Sequence, residues 1–327
     1  TYAGITQLID GLLNKECGAI ILNTAYLDVV TELDKYADVE SKIRELEVLH
    51  VETAVQSEAG KTQSTGNSDV DNRIYTLYIS GSDTRQGLNT VGRSDVNILA
   101  TINTETRQIL LVTTPRDYYV PLPVSGGIPD KLTHAGIYGV DASMATLENL
   151  YGIDISYYAR VNFTSLETIV DALGGVDVNS DYEFTTLHGK YKIQKGMNHL
   201  DGNMALGFAR ERYSFEDGDN QRGKDQEIVL TAIIKKACSP AILKNANELI
   251  AGVSDSVQTN MTSEEISKFI SNQIADPTDW DIESQAVSGT GDTQTCFSSG
   301  SQLLYVMWPD ETAVQNAAKK IKAVEKN

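Results

Sequence analysis

The stretch Ile74–Asp117, IYTLYISGSDTRQGLNTVGRSDVNILATINTETRQILLVTTPRD, decides the fold class. Three apolar runs, Ile74–Ser80, Asn97–Asn103 and Gln108–Thr114, are rich in β-branched and aromatic residues and bounded by Gly, Asn and Pro. That pattern reads as strands of a buried sheet. Thr104-Glu105-Thr106-Arg107 has hairpin length, so the second and third runs pair. Each run borders a charged cluster: Gly-Ser-Asp-Thr-Arg at 81–85, Gly-Arg-Ser-Asp at 92–95 and Pro-Arg-Asp at 115–117. Charged residues just beyond strand ends are where open α/β sheets bind ligands. Asp supplies hard oxygen ligands to Mg²⁺. Arg supplies planar forks that match phosphate oxygens. Together they point to a site for a metal and a polyanion.

Downstream the spacing alternates. Helices are expected over Gly139–Tyr151, Ser165–Leu173 (stopped by Gly174-Gly175), Asp201–Phe208 (capped by Asp201) and Gly223–Ala237, with strands at Tyr157–Asn162 and Val176–Val178. Ala209-Arg210-Glu211-Arg212, if extended, puts both arginines on one side. Arg222 and Gln226 are four apart on an opening helical turn, which suits an anion. The segment 118–135 reads as a loop over the strand ends in which Lys131 and His134 could face the site. A lone loop His is more often structural. Helices Ile242–Ile250, Ser263–Ala275 and Glu311–Val324 and strands near Ile282–Val287 and Leu303–Met307 complete the scaffold, with Ser288–Ser301 as a mobile loop.

Residues 1–66 form a unit of their own, with helical spacing at Ile5–Leu13 and Ala25–Leu33 and strands at Gly18–Leu22 and Glu45–Val55. The polar run Ser57–Asp71 reads as a linker or exposed loop and carries the boundary, leaving 67–327 as the main domain.

Composition excludes several classes. The 327 residues carry a net charge of −18, against nucleic-acid binding, which needs a basic face. Six of the ten arginines (Arg85, Arg93, Arg116, Arg210, Arg212, Arg222) nevertheless lie in or beside these clusters, consistent with one electropositive pocket on an acidic surface. No run reaches the apolar length of a membrane span. Cys17, Cys238 and Cys296 form no CxxC, which argues against zinc. A Cys238–Cys296 disulfide and buried free thiols remain equally open.

In order, GSDTR, GRSD, PRD, KLTHA, DALGGV, LDGNMALGFARER and DNQRGKDQ resemble the motifs of the LytR-CpsA-Psr family of cell-wall glycopolymer ligases, over roughly residues 74–310. The resemblance implies an α/β fold, a three-layer α/β/α sandwich around a central β-sheet, with an apolar tunnel for a polyprenyl chain. Residues 1–66 are then similar to the end of an accessory domain. The implied activity is Mg²⁺-dependent (or Mn²⁺-dependent) transfer of a glycopolymer, teichoic acid, capsule or a related glycan, from a polyprenyl-pyrophosphate carrier onto a peptidoglycan acceptor. The implied place is the extracytoplasmic face of a Gram-positive cell membrane, held by an N-terminal transmembrane helix that this chain lacks. By the same resemblance, Asp83 and Asp95 are the magnesium ligands. Arg93, Arg116, Arg210, Arg212 and Arg222 bind pyrophosphate, Gln226 is the site glutamine, Arg85 is a further contact, and Asp219 is an acidic position near the head group. Asp225 stands where the family often has Arg, which Lys224 could replace. Asp117 or Asp219 is a candidate general base. Two other readings stay open: a pyrophosphatase acting on the same lipid, and a non-catalytic binding protein for lipid-linked glycan.

Overall fold

The computed structural model describes residues 5–22, 25–31, 33–47, 74–82, 87–88, 92–215, 218–243 and 245–326. Asp83, Arg85, most of the expected strand Glu45–Val55 and the linker 57–71 lie outside these residues.

The N-terminal part begins with α1 (Ile5–Leu13), α2 (Ala25–Thr31) and α3 (Val39–Lys42). The expected strand Gly18–Leu22 does not form. Its Ile20 and Leu22 instead pack in a cluster with Ile9, Val30, Tyr36 and Val39.

The central elements follow the reading closely: β1 (Ile74–Gly81), β2 (Val96–Asn103) and β3 (Gln108–Thr113). β1 and β2 pair antiparallel with Ile79 opposite Ile98, and β2 and β3 pair antiparallel with Ile98 opposite Thr113. In the hairpin between them, the Asn103 Oδ1 accepts from the N–H groups of Glu105 and Thr106, at 3.0 and 3.1 Å, and closes the turn.

The segment 118–135, expected as a loop, contains a short hairpin of β4 (Tyr119–Pro121) and β5 (Pro129–Lys131), then α4 (Leu132–Ala135). Its three prolines and Gly126-Gly127 hid the pairing, because such residues break the usual strand pattern. Next come α5 (Val140–Tyr151), β6 (Tyr157–Val161) and α6 (Phe163–Ala172). The Asn162 side chain caps α6 by accepting from the Ser165 N–H, and Gly174 and Gly175 end it with φ of 74° and 87°. β7 (Val176–Ser180), β8 (Phe184–Thr185), β9 (Lys192–Ile193) and β10 (Gly196–Leu200) lead to α7 (Gly202–Arg210), whose cap is Asp201 as expected.

α8 runs from Gly218 to Ala237, one turn earlier than its apolar periodicity indicated. α9 (Pro240–Leu243) and α10 (Ala246–Val253) replace the single helix expected at Ile242–Ile250, with Asn245 at the junction outside helical dihedrals. β11 (Gln258–Thr259) and α11 (Ser263–Ala275) follow, the latter begun by a capping box of Thr262 and Glu265. β12 (Asp281–Ala286), β13 (Gly289–Thr295), β14 (Leu303–Pro309) and α12 (Glu311–Lys326) complete the chain. β13 occupies the stretch expected as a mobile loop. Its Gly/Thr-rich sequence has low strand propensity, but β14 pairs with it from Thr295↔Leu303 to Gly289↔Pro309, and pairing outweighs propensity.

The main sheet is mixed, with strand order β11-β6-β1-β2-β3-β12. One face carries Tyr78, Leu99, Leu110 and Val112 and packs against Leu132, Leu147 and Ile321 of α4, α5 and α12. These side chains are almost completely buried, each worth about 1.5–3 kcal/mol if fully withdrawn from water. The other face carries Ile98, Ala100, Ile102 and Ile109 and looks toward Leu230, Ile234 and Phe269 of α8 and α11. The two helical layers give the expected three-layer sandwich. The N-terminal cluster closes on Cys296, Leu304 and Val306 at the β13–β14 hairpin, so the described part of residues 5–43 is packed against the main unit. Among the described residues, no helix is long and apolar enough to cross a membrane. All three cysteines are free, which excludes the Cys238–Cys296 disulfide. Cys296 belongs to the N-terminal cluster, whereas Cys238 packs beside α8 and α11.

Candidate active site

β1, β3 and β6 run the same way, so their carboxyl ends share one edge of the sheet, where β2 begins. That topology gathers Ser82, Asp95, Arg116 and Asn162. The Asp95 N–H donates to the Gly81 carbonyl at 2.8 Å and the Ser82 N–H to the Val161 carbonyl at 3.0 Å, tying three strand ends together.

The Gly-Arg-Ser-Asp segment has the alternation of an extended chain. Ser94 points inward, where its hydroxyl meets those of Tyr78 and Ser80, each at 2.8 Å. Arg93 and Asp95 point the other way, into the cavity. The Asn97 Nδ2 donates to the Ser94 carbonyl at 2.9 Å and fixes the bend. Gly136 makes the fit against this segment possible: a Cβ there would lie 2.7 Å from the Gly92 carbonyl oxygen and from the Ser94 nitrogen.

Asp95 accepts from Arg116 Nη1 and, at 3.2 Å, from the Thr133 hydroxyl. Asp117 Oδ1 lies 2.9 Å from Lys131 Nζ and 3.7 Å from Arg116 Nε. Asp117 is thus an ion-pair partner that orients two cations, which weakens it as a general base. Lys131 does reach the cavity. His134 does not: it is fully buried, with Nδ1 2.7 Å from Asp130 and 2.9 Å from the Ser298 hydroxyl, so its role is structural.

The other wall comes from α6, α7 and α8. Arg210 is the last residue of α7 rather than part of an extended Arg-Glu-Arg run, because the helix continues until Glu211. Its guanidinium lies over the Phe163 ring, 4.1 Å from the centroid. Arg212 lies over Tyr213 at 4.7 Å and its Nη2 donates to the Tyr213 hydroxyl at 2.5 Å. Arg222 and Gln226 also line the cavity, one turn inside α8 rather than at its opening turn. Asp219 belongs to the first turn of that helix; its side chain lies outside the described set.

Glu211 is the residue that sequence reasoning passed over. It is buried, and its carboxylate accepts from the backbone N–H groups of Leu187, Arg212, Tyr213 and Ser214 at 2.5, 3.1, 2.9 and 3.1 Å. Burial alone would raise its pKa. The N–H donors of Leu187, Ser214 and Tyr213 more than offset that and hold it below the ordinary value. An acid between two arginines was the visible signal. Asp225 faces away from the cavity: it is 2% exposed, and its Oδ1 accepts from Gln221 Nε2 at 2.9 Å. Lys224 is exposed and is not part of the cavity wall, so it does not take over the expected Arg position.

Below this charged rim the cavity is apolar. It encloses about 1040 Å³ between the sheet face bearing Leu77, Ile79, Ile98, Ala100 and Ile102 and the helices bearing Leu166, Ile169, Leu230 and Ile233. The apolar helical segments 165–173 and 228–237 line it. The helix 143–150 packs on the opposite sheet face. An apolar slot with four or more cations at its mouth suits an amphiphile with a long apolar tail and a polyanionic head.

The residues around Asp95 fit a hard divalent cation, since a carboxylate faces a cavity otherwise rimmed by phosphate-type arginines. Its expected partner Asp83 lies outside the described residues. Among those described, no group of three His, Cys, Asp or Glu could form a metal cage, and Mg²⁺ needs none, because it keeps waters and takes substrate oxygens.

Comparison with known proteins identifies the family. The chain is 38% identical over 192 residues to the polyisoprenyl-teichoic acid–peptidoglycan teichoic acid transferase TagU of Bacillus cereus, a match covering 58% of this chain and 62% of that relative. The chain thus spans under two thirds of that relative's length. The crystal structure of B. subtilis TagU superposes with a TM-score of 0.58 at 27% identity, covering 77% of this chain and 96% of that one. A structure of TagT bound to LI-WTA superposes with a TM-score of 0.64 at 26% identity, covering 85% and 100%. The LytR_cpsA_psr family matches residues 44–322, most of the chain, and this protein belongs to the LytR-CpsA-Psr family.

Proposed function

We propose that this chain is a phosphotransferase that moves a glycopolymer, teichoic acid or a related wall or capsule glycan, from a polyprenyl-pyrophosphate carrier onto peptidoglycan. The observation that carries the reading is the junction of a deep apolar slot with a rim of Arg93, Arg116, Arg210, Arg212 and Arg222 beside Asp95. The names of the relatives support the same substrate class. The site would work on the extracytoplasmic face of a Gram-positive membrane, where both lipid carrier and acceptor are present.

In this reading the polyprenyl chain occupies the slot and the pyrophosphate sits at the rim. A hydroxyl oxygen of the acceptor glycan attacks the sugar-bearing phosphorus. The new P–O bond forms a phosphodiester, the bridging P–O bond breaks, and polyprenyl phosphate leaves with the electron pair. The acceptor proton passes to a base or to water. The arginines hold the non-bridging oxygens and stabilise charge gathering on the leaving phosphate. Asp83 and Asp95 are the proposed ligands of Mg²⁺, or Mn²⁺, which supplies Lewis-acid polarisation of the phosphoryl oxygens when bound. Arg116 and Thr133 fix the Asp95 carboxylate for that task.

The test mixes the protein with Mg²⁺, a polyprenyl-pyrophosphate oligosaccharide and a peptidoglycan glycan, and reads products by mass spectrometry. A phosphodiester-joined product that disappears in Asp83→Ala and in Arg222→Ala supports the transferase. Glycan phosphate released without a joined product would instead mean a pyrophosphatase.

A further inference from the structure

Two tyrosines at the cavity lip are held in place yet left in water. Tyr213 is 67% exposed and Tyr305 52% exposed, and both border the cavity. Exposed rings on flexible stems would be unremarkable. Here each is braced. The Tyr213 backbone N–H donates to the buried Glu211 at 2.9 Å, and Arg212 both donates to its hydroxyl and covers one ring face. The Tyr305 ring lies over Gly291 of the neighbouring strand, where an added Cβ would come within 2.9 Å of its hydroxyl oxygen and 3.0 Å of a ring carbon. Gly291 therefore makes the bed on which that ring rests.

Bracing removes the entropy cost of ordering these side chains at the moment of binding. What such rings recognise follows from position. An amphiphile with its tail in the slot and its pyrophosphate on the arginines must send whatever follows the phosphates past this lip. Next to a phosphate on a polyprenyl glycan is a sugar ring. Its polarised C–H face suits the negative face of an aromatic ring, and its hydroxyls suit the tyrosine edge.

We infer that Tyr213 and Tyr305 form a saccharide subsite at the mouth of the cavity, which packs against a pyranose ring of the bound glycan. This rests on the transferase reading for the orientation of the lipid. The pyranose could belong to the donor or to the acceptor, and the measurements separate them.

The experiment measures binding by the full chain and by Tyr213→Ala and Tyr305→Ala to three probes. These are polyprenyl pyrophosphate without sugar, the same lipid carrying a disaccharide, and a soluble peptidoglycan glycan. For a donor subsite, each substitution weakens the disaccharide lipid by roughly three- to tenfold and leaves the bare lipid within about twofold. Tyr213→Trp and Tyr305→Trp restore most of the loss. A selective loss on the soluble glycan assigns the subsite to the acceptor. Equal weakening of the bare lipid overturns the proposal in favour of a role for Tyr213 in placing Arg212, and weakened binding to plain anionic vesicles overturns it in favour of membrane contact. No difference between sugar-bearing and bare lipid in the unaltered protein, together with no effect of either substitution on the soluble glycan, also overturns it, while leaving the transfer assay to decide the transferase reading separately.

Discussion

Asp95, at the start of β2, accepts a hydrogen bond from Arg116, which follows β3, so one carboxylate is held by a residue twenty-one positions away across the sheet edge. Both side chains are mostly buried, with 11% and 18% of their surface exposed. Asp95→Asn keeps the shape and the Thr133 contact but removes the charge. Its transfer activity should fall by at least about a hundredfold, with a melting temperature within a few degrees of the unaltered protein, measured by calorimetry beside the transfer assay. Retained activity would remove Asp95 from the metal site.

Glu211 anchors the turn that carries Arg212, through the backbone N–H groups of Arg212, Tyr213 and Ser214. Glu211→Ala leaves four backbone N–H groups without their acceptor and should cost about 1–3 kcal/mol in denaturant unfolding. Transfer should fall further than the unfolded fraction explains, because the turn carrying Arg212 loses its anchor. Glu211→Gln, which keeps one carbonyl acceptor, should lie between the two. Normal activity in a stable Glu211→Ala protein would show that the turn holds itself.

Burial lifts the Asp225 carboxyl from 3.8 to about 7, despite the opposing Gln221 hydrogen bond. Below pH 3.8 the group is neutral in both folded and unfolded chains. Between 3.8 and 7 the folded state binds more protons, so stability falls as pH rises, and above about 7 the penalty is constant. Asp225→Asn should therefore be more stable than the unaltered protein at pH 8, on the order of a few kcal/mol, and no more stable near pH 3.5. Urea unfolding at the two pH values tests this; equal gains at both would place the cause elsewhere.

Ala100 is a small residue in the sheet wall of the cavity, between Ile98 and Ile102. Ala100→Phe should shorten the slot. The kcat/KM for a long-chain polyprenyl donor should drop roughly tenfold, while a short-chain analogue is turned over as before. A uniform loss with both lipids would mean that the tail lies elsewhere.

Because all three cysteines are free, alkylation of the denatured, unreduced protein should add three labels by intact mass, and a reductant should leave the melting temperature unchanged. A mass showing one label would restore a disulfide.

Much of this protein was legible along the chain. Ile74–Ser80, Asn97–Asn103 and Gln108–Thr114 announced three strands to within a residue or two, because buried strands concentrate β-branched residues between turn formers. Asp201 marked a helix start, and Gly174-Gly175 a helix end, because caps are local chemistry. The charged clusters at 92–95 and 115–117 named site residues that the sheet then brought together. Tertiary structure decided the rest. Which face of the sheet stays hollow depends on what packs against it: α5 and α8 look alike as apolar helices, yet only α8 walls the cavity. β13 exists because β14 lies beside it. Thr133 reaches Asp95, and Glu211 the Leu187 N–H, through contacts between distant segments, and no periodicity encodes such a contact. Local sequence determines which elements form and where they stop, since those choices turn on neighbouring residues; the cavity and its rim arise only when the strand ends and helix faces meet.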